Sequence, residues 1–189
     1  MDASFLSTKF AAALPYERYV QTGAEEQQRR WRNVYETARL TPQHVALLGS
    51  FRRDMKLLIV SGVWCGDCVH QVPLLQRCAE ANPARIALRV VDRDLHADLS
   101  GQIHLNAGAR VPTVLFLAED FELCGLYGDR SLSRYRAIAA KELGGTCPLG
   151  IAPPPPEEMA ATLQDWVNEI ERVQLMLMLS ARLREVHGD

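Results

Sequence analysis

Charge of one sign is the first thing this sequence lacks. Its Lys and Arg number 21 against 23 Asp and Glu, a formal net charge of -2. No electrostatic footprint for nucleic acid or for an acidic membrane surface is present, so neither partner is expected. No apolar run is long enough to span a bilayer, and Met1-Asp2-Ala3-Ser4-Phe5 shows no basic start leading into an apolar core. Cysteine is scarce and odd in number, five in 189 residues of which 48% are hydrophobic. That excludes a small disulfide-stapled scaffold and points to a reducing, cytoplasmic setting. A flavin or dinucleotide motif is also missing. There is no second Cys-x-x-Cys or spaced histidine pair to complete the roughly four ligands of a zinc site, so no cofactor and no metal are expected.

Against these absences stands Val63-Trp64-Cys65-Gly66-Asp67-Cys68. The apolar run Leu57-Leu58-Ile59-Val60 leads into it and the helix-compatible run Val69-His70-Gln71-Val72-Pro73-Leu74-Leu75 leaves it. Two cysteines therefore fall where a buried strand meets the first turn of a helix. Unpaired N–H groups and the partial positive charge of a helix N-terminus favour thiolate over thiol. A cysteine so placed falls from about 8.5 into the range of roughly 3.5–7.5. Cys68 shares a helix face with Cys65, so a dithiol that opens and closes is the first reading.

Residues 5–50 read as helices, broken at Thr22-Gly23 and restarted at Thr41-Pro42, with Thr41 as N-cap and Pro42 at the first helical position. Val45, Leu47, Leu48 and Phe51 are expected to face inward. The centre then alternates: strand 56–62, helix 67–81, strand 85–92, a short helix near 95–105, strand 111–118, a turn at Glu119-Asp120, strand 121–127 and helix 131–143. This order implies an α/β fold with a central mixed four-stranded sheet flanked by helices. Pro153 to Pro156 read as a stiff linker. Residues 157–186 read as one long helix whose apolar stripe runs through Met159, Leu163, Trp166, Ile170, Val173 and Leu177. Leu175 to Leu179 add an excess of apolar surface, to be buried against the domain or another chain. Four segments result: an N-terminal helical segment 1–51, a central domain 52–145, a Gly/Pro-rich linker 146–156 and a C-terminal helix 157–189.

The set Trp64-Cys65-Gly66-Asp67-Cys68, Pro73 within the following helix and Val111-Pro112-Thr113 opening the third strand resembles the thioredoxin superfamily. It is most similar to bacterial thioredoxin-like proteins with a Trp-Cys-Gly-Asp-Cys motif behind an N-terminal helical segment. The likeness covers about residues 52–145. It implies a thioredoxin-like fold, Cys65 as exposed nucleophile, Cys68 as the buried resolving thiol, and a cis Pro112 against the pair. The backbone at Val111 would then hydrogen-bond the substrate. The chain departs from thioredoxin at Asp67, where thioredoxin has proline, and at Ile59 and Leu88, which stand where thioredoxin has a buried carboxylate and its lysine neighbour. The first thioredoxin strand is also replaced by helices.

Other residues carry open readings. Trp64 shields the disulfide and offers an apolar landing surface. Asp67 either complements the helix dipole or, as a negative charge near Cys65, raises the pKa of that thiol and makes the disulfide harder to reduce. His70 tunes the dithiol or sits on the helix as an ordinary half-buried histidine. Arg110 holds an acidic substrate, pairs with Asp67 or is solvated. Cys78 and Cys124 read as small apolar residues, whereas Cys147, in a Gly/Pro loop, is a candidate for regulation. The expectation is a thiol–disulfide oxidoreductase, reducing a disulfide-containing protein or small-molecule substrate and regenerated by an external reductant. The other classes in view are a non-catalytic thioredoxin-like interaction module and a thiol redox sensor. The C-terminal helix is the expected surface for a homodimer.

Overall fold

The apolar run ahead of the cysteines becomes the centre of the molecule. In a computed structural model that describes residues 1–143 and 157–189, Met55–Ser61 form β1, with six of seven residues buried. Such a strand needs cover on both faces. It lies between β2 (Ile86–Asp92), which runs parallel to it, and β3 (Thr113–Leu117), which runs antiparallel. β4 (Leu123–Gly128) pairs antiparallel with β3, so the order is β2-β1-β3-β4. The expected mixed four-stranded sheet is present.

Four helices precede it: α1 (Ala3–Ala12), α2 (Tyr16–Val20), α3 (Glu25–Thr37) and α4 (Pro42–Gly49). Thr41 caps α4, accepting from the His44 N–H at 3.2 Å. Between α1 and α2 the chain makes a single antiparallel bridge to the free edge of β2, with Leu14 N to Val90 O at 2.9 Å and Val90 N to Leu14 O at 2.8 Å. One bridge stands where a further strand would add to the sheet. Leu6, Tyr19, Trp31 and Leu48 from these helices join the same buried cluster as the strands.

The remaining helices are α5 (Gly66–Ala81), the short α6 (Ala97–Ser100), α7 (Leu132–Leu143), α8 (Glu158–Leu179) and α9 (Ala181–His187). The long C-terminal helix is thus two helices. Ser180 adopts an extended backbone conformation and caps α9, its hydroxyl accepting from the Leu183 N–H at 3.5 Å, so the chain turns there. The stripe Leu163, Trp166, Ile170, Val173 and Leu177 is buried within the chain. Trp166 meets Tyr127 of β4 edge-on at 5.1 Å, and Gln174 accepts from Arg53 N at 2.9 Å and donates to Arg53 O at 3.0 Å. Leu175, Met176 and Leu179 stay exposed. Val45 is also exposed, contrary to expectation, while Leu48 and Phe51 are buried. The helix α4 is short, so only one of its faces reaches the core. The linker 146–156 and Cys147 lie outside the described residues.

Candidate active site

The chain turns sharply at the C-terminal end of β1, with Cys65 N donating to Gly62 O at 2.9 Å. Cys65 is the N-cap of α5, its backbone extended while its carbonyl already accepts from Val69 N at 3.0 Å. The two thiols meet different surroundings. Cys65 is half-buried and Cys68 has no exposed surface. The Cys65 pKa is lowered to about 6, chiefly by a hydrogen bond from Cys68 and further by the backbone N–H groups of Cys68 and Asp67; partial burial and the Asp67 charge oppose this. Burial pushes the Cys68 pKa well above its ordinary value, and Cys65 adds to that. Near neutral pH this is a thiolate beside a protonated thiol, as nucleophile and resolving group require.

Across from them the Val111–Pro112 bond is cis, and Cys65 Sγ lies 3.6 Å from the Val111 carbonyl oxygen, which accepts its proton when the thiol is protonated. This loop lies on β3 and β4. Thr113 pairs with Gly128, and Gly128 has φ +146°, a conformation that favours glycine. A Cβ there would sit 2.3 Å from the Pro112 carbonyl oxygen. Trp64 is 48% exposed beside the pair, with the Arg93 guanidinium 4.9 Å above its ring. Gly62 lets the indole lie on the backbone, since a Cβ at that position would fall 2.8 Å from the ring.

Asp67 is held in a pair of ion pairs. Its carboxylate accepts from Arg130 Nε at 2.8 Å and from Arg134 Nε at 3.1 Å, and Arg134 reaches on to Glu158 at 2.6 Å. Its charge still opposes the Cys65 thiolate, but the net shift on Cys65 is downward. Gln71 ties the same elements together, donating to the Asp129 carbonyl at 2.9 Å and accepting from Ser131 N at 3.0 Å. Arg110 pairs with Asp129 at 3.5 Å and not with Asp67. His70 faces Arg134, Glu158, Met159 and Thr162 across a small cleft. Partial burial and the Arg134 cation hold its pKa down, and its neighbours are these groups rather than the thiols.

Ile59 is paired with Val90 across β1 and β2, and both are fully buried. This part of the sheet is apolar. Burial raises the pKa of Cys78 and of Cys124, so both are poor nucleophiles. Among the described residues no cluster of three or more His, Cys, Asp or Glu side chains could hold a metal ion, and no helix is long and apolar enough to cross a membrane. Arg130, Arg134 and Trp31 were not legible as site residues in the sequence. They reach the site only through folding; Trp31 Nε1, for example, donates to the Val63 carbonyl at 2.9 Å.

A cysteine pair at a strand–helix join, facing a cis-proline loop in this sheet order, defines a thioredoxin-like protein. The family model described as Thioredoxin matches residues 13–141, and the chain belongs to that family. A solved protein of unknown function from Pseudomonas aeruginosa is similar in fold, with a TM-score of 0.68 at 20% identity over 87% of this chain and 93% of that one. An HIV epitope-scaffold is also similar, with a TM-score of 0.61 at 20% identity over 97% and 98% of the two chains. No curated protein matches the chain in sequence.

Proposed function

We propose that this protein is a thiol–disulfide oxidoreductase that reduces disulfides of proteins or small molecules in the cytoplasm. The observation that carries the reading is the asymmetry of the pair: Cys65 half-exposed with its pKa lowered to about 6, Cys68 buried and protonated. The Cys65 thiolate attacks a substrate disulfide and one substrate sulfur leaves as a thiolate. The mixed disulfide lies beside Val111 and Pro112, with Trp64 as the apolar surface against the substrate. Cys68 then loses its proton and attacks Cys65 Sγ, which releases the second substrate thiolate and leaves a Cys65–Cys68 disulfide. Substrate gains two electrons and the protein loses two; an external reductant restores the dithiol. Asp67 enters as a tuning group through Arg130 and Arg134. Reduction of insulin by dithiothreitol tests the proposal: wild type accelerates it, and Cys65→Ser does not. Equal rates for the two would sink it.

A homodimer through the C-terminal helix is supported by the exposed Leu175, Met176 and Leu179 of α8. The expected result is a concentration-dependent dimer in sedimentation. A monomer at high micromolar concentration removes that reading and leaves the redox proposal untouched.

A further inference from the structure

Asp129 carries a charge and is only 4% exposed. A carboxylate so far from water is stable only where cations and donors replace its hydration. Three groups do so. The Tyr135 hydroxyl donates to Oδ1, while Oδ2 lies 3.5 Å from Arg110 Nη1 and 3.7 Å from Arg130 Nη1. The backbone is fixed as well. The Asp129 carbonyl accepts from Gln71 of α5 at 2.9 Å, and Gln71 accepts from Ser131 N at 3.0 Å.

The two arginines lead to different sides of the dithiol. Arg110 immediately precedes Val111 and Pro112. Its carbonyl accepts from the Thr113 hydroxyl at 2.7 Å, and its Nε donates to the Leu105 carbonyl at 3.2 Å, so the guanidinium is tied to its own loop. Arg130 Nη2 lies 2.7 Å from Asp67 Oδ2, in the turn between the two cysteines. The Val111 carbonyl oxygen is in turn 3.6 Å from Cys65 Sγ. The contacts close a ring through Cys65, Val111, Arg110, Asp129, Arg130 and Asp67. Asp129 Oδ2 joins its loop side to its helix side.

We propose that Asp129 is a positioning residue that holds the Val111–Pro112 loop and the Cys65 turn at a fixed spacing, through Arg110 on one side and Arg130 on the other. This deepens the oxidoreductase reading and rests on it. A protein substrate lies against both the loop and Cys65, so a change in their spacing misplaces its disulfide. A small disulfide that reaches the thiol without leaning on the loop is insensitive to that spacing. Charge supplies a second, separate signature. Asp129 shares the Arg130 cation with Asp67, so removing the Asp129 charge leaves more of that cation to Asp67 and favours the Cys65 thiolate.

Asp129→Asn keeps the shape of the side chain and removes its charge. Tyr135→Phe removes one bond to it and is the milder variant. Each is compared with wild type in kcat/KM for insulin reduction, in the rate of attack on dithiodipyridine, and in the pH midpoint of Cys65 alkylation. In Asp129→Asn, kcat/KM for insulin should fall by about tenfold while the dithiodipyridine rate stays within about twofold. The Cys65 midpoint should fall by roughly half a pH unit. Tyr135→Phe should lower the insulin-to-dithiodipyridine ratio by about twofold to threefold, and it decides alone if Asp129→Asn does not fold. Asp129→Asn placed on Arg110→Ala should cost much less insulin activity than on wild type, because the two residues act through one contact. A ratio untouched in both variants overturns the proposal, as do strictly additive effects of Asp129 and Arg110. An equal fall for both substrates with the Cys65 midpoint unmoved marks a general loss of structure and overturns it too. A wild type that does not accelerate insulin reduction overturns the oxidoreductase reading and this proposal together. A normal wild type with any of those variant results overturns the positioning alone.

Discussion

Arg130 donates from Nε to Asp67 Oδ2 at 2.8 Å, joining the segment after β4 to the first turn of α5 between the two cysteines. The carboxylate that faces the nucleophile is thereby matched to a cation, with Arg134 on its other oxygen.

Substitutions on the two sides of this pair should therefore move the dithiol in opposite directions. Arg130→Ala leaves the Asp67 charge less compensated, so the Cys65 pKa should rise and the disulfide become harder to reduce. Asp67→Asn leaves two arginines uncompensated, so the pKa should fall and the disulfide become easier to reduce. Shifts on the order of 30 mV are expected, read by equilibration with a glutathione redox series. Shifts of the same sign would contradict the pairing.

Gly128→Ala places a methyl group against the Pro112 carbonyl in a backbone conformation that favours glycine. It should cost about 1–3 kcal/mol of stability, measured by urea denaturation, and slow insulin reduction because the Pro112 loop must move. Gly49→Ala, with open space around its Cβ position, is the comparison and should leave both nearly unchanged. Equal effects would show that the contact at Gly128 is not tight.

Trp166→Ala should destabilise the whole domain by about 3–5 kcal/mol, since Trp166 has no exposed surface and meets Tyr127 of β4. A single denaturation transition at lower urea is expected. A separate early transition confined to the C-terminal helices would show that α8 is an appendage and not part of the core.

The strand–helix alternation was legible because β1, β2 and β3 are runs of apolar residues with breakers between them, and the motif stood on a local join. Cap residues such as Thr41 could be read directly, since capping is a local interaction. The break at Ser180 was not legible. The apolar period continues across it, and serine inside a helix differs little from serine at a cap until the chain turns. The surroundings of Asp67 were hidden for a different reason. Arg130 and Arg134 lie more than sixty positions away in sequence, and only the return of the chain through β4 brings them to α5.

The unequal thiols are the centre of this account, and the pH dependence of alkylation tests them most directly. The reduced protein is treated with iodoacetamide from pH 4 to 10, and modification of each cysteine is followed by mass spectrometry. The folded Cys65 pKa is depressed, so its thiolate and its reactivity should rise through a midpoint near 6, with Cys68 unmodified across that range. A Cys65 midpoint near the ordinary thiol value of about 8.5, or modification of Cys68 at the same rate, would contradict it.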